Sequence, residues 1–200
     1  MMQEKPNRIF VEQTIQNKYT IRLARDISEP DDFDDELNLL SMAGGEDTVK
    51  LLVVSPGGYL TTCNLLTKAL RETKARTIGY IGSSCASAAT AIILACDEWE
   101  IDEQSSFMIH TASLGVIGKA PEIETELQHR LRLIRRWVET TYKGFLSDEE
   151  IENVIAGKDY WFEGEELARR LIAYADYREE ARQKLYEEDE EEVDTDPEEA

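Results

Sequence analysis

VKLLVVSPGG, residues 49–58, decides the architecture. An apolar run rich in β-branched residues reads as a buried strand, and the Ser-Pro-Gly-Gly that ends it forces a sharp turn. Proline holds the residue before it extended, and two glycines let the backbone bend with its N–H groups unshielded. Such a turn can present a donor to an oxyanion, although a plain strand-to-helix turn uses the same residues.

Working outward, YLTTCNLLTKALRETK (59–74) sets Leu60, Cys63, Leu66, Thr67 and Leu70 on one helical face, so a helix returns across the sheet. ARTIGYIG (75–82) is the next strand, ASAATAIILAC (86–96) a small-residue helix, and EWEID and SSFMIH short strands. Upstream, YTIRLARDI (19–27) reads as a strand and PDDFDDELNLLSMAG as a short acidic helix. Downstream, Ile123, Leu127, Leu131, Ile134 and Val138 recur at helical spacing, which predicts a long amphipathic helix from Pro121 to about Phe145. Ser147 with Glu150 forms a capping box for SDEEIENVIAG, FEGEELARRLIA is a further helix, and AYADY (173–177) a closing strand. This alternation predicts an α/β fold with right-handed crossovers.

The formal net charge of the 200-residue chain is -20, which argues against nucleic acid or an anionic membrane as a partner. Ten of the acids lie between Glu187 and Glu199 with no basic residue among them. Residues 178–200 are therefore expected to be a disordered acidic tail, behind a polar lead at 1–18 and one domain at 19–177. Cys63, Cys85 and Cys96 show no metal-ligand spacing and an odd count for disulfides, so a reducing cytoplasm is the expected compartment. MMQEKPNRIF lacks the apolar core of a signal peptide, and no run approaches a membrane span.

GSSCASAAT (82–90) holds four candidate nucleophiles, Ser83, Ser84, Cys85 and Ser87. Ser87 opens the helical run, where the helix dipole and the next backbone N–H favour a developing oxyanion. Ser83 and Ser84 read as turn residues of a loop, and Cys85 as a small buried thiol with no cation to activate it. Of the two histidines, His110 ends the strand FMIH, at the edge of the sheet where ligands bind, and His129 lies off the apolar stripe of the long helix as a surface residue. Asp159 follows Gly157 and precedes Tyr160 and Trp161, which predicts burial and a need for a partner; capping the helix around FEGEEL is the alternative.

VVSPGG, GSSCASAAT, SSFMIH and GKDYWF, in that order, resemble the Clp protease proteolytic subunits, the ClpP-type serine peptidases with a crotonase-like fold. PEIETELQHRLRLIRRWVETTY resembles their handle helix, and the likeness runs from about Tyr19 to Tyr177. The resemblance implies a repeated β-β-α spiral and a Ser-His-Asp triad of Ser87, His110 and Asp159. It also implies an oxyanion hole from the N–H groups of Gly58 and Ala88, and no metal or organic cofactor. As partners it implies protein or peptide substrates, a homo-oligomeric ring (a heptamer or double ring) and an ATP-driven unfoldase.

The chain also departs from the family pattern. Gly82 to Ser87 is one residue longer than the usual glycine-to-serine spacing, so a bulged elbow is expected. Ala88 and Ala89 stand where the family has methionine and glycine, and Gly157 and Lys158 replace an acidic-arginine pair that links two rings. About 18 residues precede the first strand, with no clear amphipathic helix to build an unfoldase dock. These departures fit a divergent member, for instance a phage-encoded one that processes head proteins. A catalytically inactive assembly or scaffold subunit is the alternative, and acyl-CoA chemistry on the crotonase fold a third reading.

Overall fold

A computed structural model describes residues 15–193, with side chains as far as Glu187. In chain order the elements are β1 (Lys18–Leu23), a 3-10 turn (Pro30–Phe33), α1 (Asp34–Met42), β2 (Thr48–Ser55), α2 (Leu60–Glu72), β3 (Arg76–Ala86) and α3 (Ala88–Ala95). There follow β4 (Glu98–Ile101), β5 (Ser106–Ile109), α4 (Ala120–Tyr142), α5 (Asp148–Ile155), β6 (Tyr160–Glu163) and α6 (Gly164–Val193). The sheet runs β1-β2-β3-β5-β6, with β4 also paired to β3. All neighbours are parallel except β5 and β6.

β2 buries Val49, Leu51, Val53 and Ser55 on one face, the period of two that a pleated strand imposes. α2 lays Cys63, Leu66, Thr67 and Leu70 against that core, as the spacing predicts, with Leu60 at its margin. All eight residues of α3 are buried, so this helix is the centre of the molecule and not a surface element.

The architecture turns on β3. Its first half pairs with β4 at Ile78–Ile81, and its last residues, Cys85 and Ala86, pair with β5. Between them the register against β2 slips by two, from Val53 opposite Ile81 to Ser55 opposite Cys85. The added length before Ser87 is therefore taken up as a β-bulge at Gly82–Ser84, which swings the strand from one neighbour to the next. A Cβ on Gly82 would meet Val54 Cγ2 at 2.4 Å, so only glycine fits the crossing. The Ile81 carbonyl, left where β4 departs, accepts a 2.5 Å hydrogen bond from buried Ser105 Oγ.

Three expectations need correction. GSSCA is strand to its end, not loop, because the bulge lets pairing resume at Cys85. AYADY is helix, since Leu167, Leu171 and Tyr174 form one buried stripe whose spacing carries straight through 173–177. The tail expected to be disordered from residue 178 is helical as far as Val193. Arg178 anchors that extension, its guanidinium donating to the Cys96 carbonyl and lying over Trp99 and Tyr174. Glu179 then accepts hydrogen bonds from Arg182 and Gln183, the helical i,i+3 and i,i+4 pairs that support an exposed charged helix. Residues 1–14 of the polar lead and 194–200 of the tail lie outside the described residues.

Candidate active site

Ser87 sits at the junction of β3 and α3, with φ 56° and ψ −130°. Among the described residues it is the one non-glycine with positive φ. Such a conformation costs about 1–3 kcal/mol and persists only where the surroundings hold it. The Ser87 N–H donates to the Met108 carbonyl at 2.8 Å, which continues the β3–β5 ladder to the turn itself. The Ser87 carbonyl accepts from Thr90 N at 3.0 Å and from Thr90 Oγ1 at 2.6 Å. Thr90 Oγ1 in turn lies 2.8 Å from the hydroxyl of fully buried Tyr142. With its own proton on the Ser87 carbonyl, Thr90 Oγ1 is left as the acceptor, and Tyr142 donates. The Cys63 thiol donates to the Ala88 carbonyl at 3.2 Å. The serine is thus braced from β5, from within α3, and from the end of α4.

The glycine turn packs on the same spot. A Cβ on Gly57 would meet Ser87 Cβ at 2.7 Å and Ala88 N at 2.9 Å, so the backbones touch there. Gly58 is clamped from the other side by Ile27, whose N–H donates to the Gly57 carbonyl at 2.9 Å while its carbonyl accepts from Tyr59 N at 2.7 Å. A Cβ on Gly58 would lie 2.1 Å from the Ile27 oxygen. As the first residue of α3, Ala88 has an N–H with no partner inside its own helix.

A groove of about 830 Å³ opens over this junction. Ser87, His110 and Gly58 all line it, with Tyr59 on one wall and Leu133 and Trp137 of α4 on the other. Both Ser87 and His110 are half-buried. Asp159 does not line the groove and is exposed, against the expectation of burial, because α5 ends at Ile155 and the chain re-enters the sheet only at Tyr160. Its position is still informative. The β5–β6 pairing ends at Ile109 opposite Tyr160, so His110 and Asp159 are the residues next beyond the last pair on the two strands, outside the ladder itself. Among the described residues no side-chain hydrogen bond joins Ser87 to His110, or His110 to Asp159.

The other candidates separate cleanly. Ser83 and Ser84 are exposed on the bulge and do not line the groove. Cys85 is buried, and burial pushes its thiol well above the ordinary range, so it carries no thiolate near neutrality. His129 is exposed on α4. Among the described residues no group of three His, Cys, Asp or Glu side chains is placed to hold a metal ion.

Sequence reasoning missed Thr90, Tyr142 and Ile27. Threonine three residues after Ser87 is a signal, since its hydroxyl reaches back one turn. Nothing local marks Tyr142 or Ile27, which meet the site only through tertiary packing.

The Clp protease family model matches residues 2–170. The chain therefore belongs to the Clp protease family. No curated protein matches the sequence. Membership implies a peptidase of the serine type, in a family that generally assembles into rings and acts on proteins. Among the described residues no helix is long and apolar enough to cross a membrane.

Proposed function

We propose that this chain is a serine endopeptidase that cleaves peptide bonds with Ser87 as nucleophile, His110 as general base and Asp159 as the group that orients the imidazole. The observation that carries the reading is the strained, fully braced Ser87 at the start of buried α3, in one groove with His110 and Gly58. His110 takes the Ser87 proton as Oγ attacks the carbonyl, and returns it to the leaving amine. The N–H groups of Gly58 and Ala88 receive the developing oxyanion, and water then cleaves the acyl-enzyme.

The assembly is a homo-oligomeric ring with substrate admitted to an internal chamber. On α4, outside the groove, Leu131 is exposed, Ile123 and Leu127 are half-covered, and burial is reached only at Val138 and Tyr142. A neighbouring subunit would cover that apolar length. Cooperation with an ATP-driven unfoldase, or a role in phage head maturation, extends the same reading to its setting.

The second reading, an inactive assembly or scaffold subunit, is favoured by the missing hydrogen bonds around His110 and by exposed Asp159. Hydrolysis of a casein or peptide substrate, fluorophosphonate labelling and native mass, each measured for the parent and for Ser87→Ala, separate the two. The peptidase reading expects labelling and hydrolysis by a ring-sized particle, both lost in Ser87→Ala at unchanged mass. Rings with no labelling of the parent protein establish the scaffold.

A further inference from the structure

The groove over Ser87 differs in charge from the rest of the molecule. The chain carries 42 Asp and Glu, yet among the described residues no Asp or Glu lines the groove, whereas Arg130 and Arg136 do. The two arginines belong to one face of α4, together with Leu133, Ile134, Trp137 and Thr140. Arg130 is already engaged, its Nε donating to Glu126 at 2.7 Å, the i,i+4 partner one turn back. Arg136 has no carboxylate within salt-bridge distance among the described residues, although the adjacent Arg135 binds both Glu139 and Glu152. An unpaired guanidinium on the same groove as Ser87, in a protein of net charge -20, is a favourable place for a negative group that the remaining surface repels.

We infer that the groove selects peptides carrying an acidic side chain close to the scissile bond, with Arg136 pairing that carboxylate. This rests on the peptidase reading above and specifies its substrate class. The guanidinium offers two parallel N–H donors to a carboxylate, a geometry that an amide or an ammonium cannot match. Leu133 and Trp137, flanking it on the helix, supply the apolar wall for a neighbouring side chain of the same substrate. Arg130 and Arg136 are six residues apart, roughly 9 Å along the helix axis. An extended peptide covers that distance in about three residues, so a second acid at such spacing strengthens binding by competing with Glu126 for Arg130.

The test uses fluorogenic peptides identical except for Glu, Gln or Lys beside the cleaved bond. The full chain is assayed for kcat/KM with each peptide, and its Ser87→Ala form for peptide binding by fluorescence anisotropy. The expected preference for Glu is about fivefold over Gln and about tenfold over Lys, and it shrinks as salt rises. Arg136→Gln collapses the ratio to near one, and Arg136→Glu turns it toward Lys; a merely structural role for Arg136 would lower all three peptides alike. Equal use of the three peptides by a protein that labels normally with fluorophosphonate overturns the acidic selectivity and leaves the peptidase reading standing. Absent labelling overturns the peptidase reading, and the anisotropy ratios then decide the acidic groove by themselves: a Glu preference lost in the Ser87→Ala, Arg136→Gln double variant upholds it, and equal affinities overturn it.

Discussion

The two halves of the candidate site are built differently. On one side the Ser87 elbow is held by backbone pairing to Met108, by Thr90 and buried Tyr142, and by the Gly57–Gly58 turn pressed against it by Ile27. On the other side His110 is half-buried, Asp159 is exposed, and neither is held by a side-chain hydrogen bond among the described residues. Packing within one chain is enough to hold the Ser87 elbow. His110 follows interior strand β5 and Asp159 precedes edge strand β6, and α4 nearby keeps apolar residues that the single chain leaves uncovered. Under the ring proposed above, ordering of that second half is the step at which assembly would act.

The comparison can be broken from either side. The largest effect is expected from Asp159→Asn, which should cut kcat/KM by about 10⁴-fold in assembled particles if the aspartate orients His110. A change of less than about threefold would remove Asp159 from the mechanism and leave the exposed half without an orienting group. Next comes Gly58→Ala. Its Cβ would run into the Ile27 oxygen at a φ of 152°, so a loss of about 3 kcal/mol in stability is expected, read as a drop in Tm together with lost activity. Tolerance of alanine there would mean that the turn is not clamped.

Tyr142→Phe is a finer probe. Removing the hydroxyl that donates to Thr90 should cost about 1 kcal/mol of stability and lower kcat at unchanged KM, because the elbow loses a brace while the groove keeps its lining. Coupling to Thr90→Val in a double-mutant cycle would show the two acting as one unit, whereas additive effects would separate them.

The smallest effect tests a point remote from both halves. Asp47 accepts hydrogen bonds from the N–H groups of Asn17 and Gly44 and from the Asn17 side chain, and the Gly44 and Asn17 amides hold its carboxyl below the usual range. With the folded pKa below the unfolded one, its contribution is complete above the unfolded value of about 4 and is lost as pH falls through the folded pKa. Asp47→Asn should therefore lower Tm at pH 7 and flatten the acid limb of a Tm-against-pH curve, without changing fluorophosphonate labelling. A parallel downward shift at all pH values would show that the charge plays no part.

Much of the framework was legible in the chain. The strand and glycine turn of VKLLVVSPGG, the capping box at Ser147 and Glu150, and the long helical stripe after Pro121 are local patterns, and each appears where its spacing puts it. The end of the chain was read less well. Ten acids without a base resemble a disordered tail, yet Leu167, Leu171 and Tyr174 carry the helix past 177, and Arg178 ties it to the carbonyls that end α3. A long-range anchor of that kind has no signature in the segment it stabilises.

The same division holds at the site. By itself the sequence determined that Ser87 begins a helix of small residues after a glycine-led strand, and that His110 ends a strand. These follow from backbone propensity and period, which act over a few residues. Only the tertiary structure decided that two residues of β3 bulge before Ser87, that Ile27 and Tyr142 close on the elbow from distant parts of the chain, and that arginines but, among the described residues, no acids line the groove. Those are contacts across the sheet and between helices, set by which surfaces meet when the core is buried.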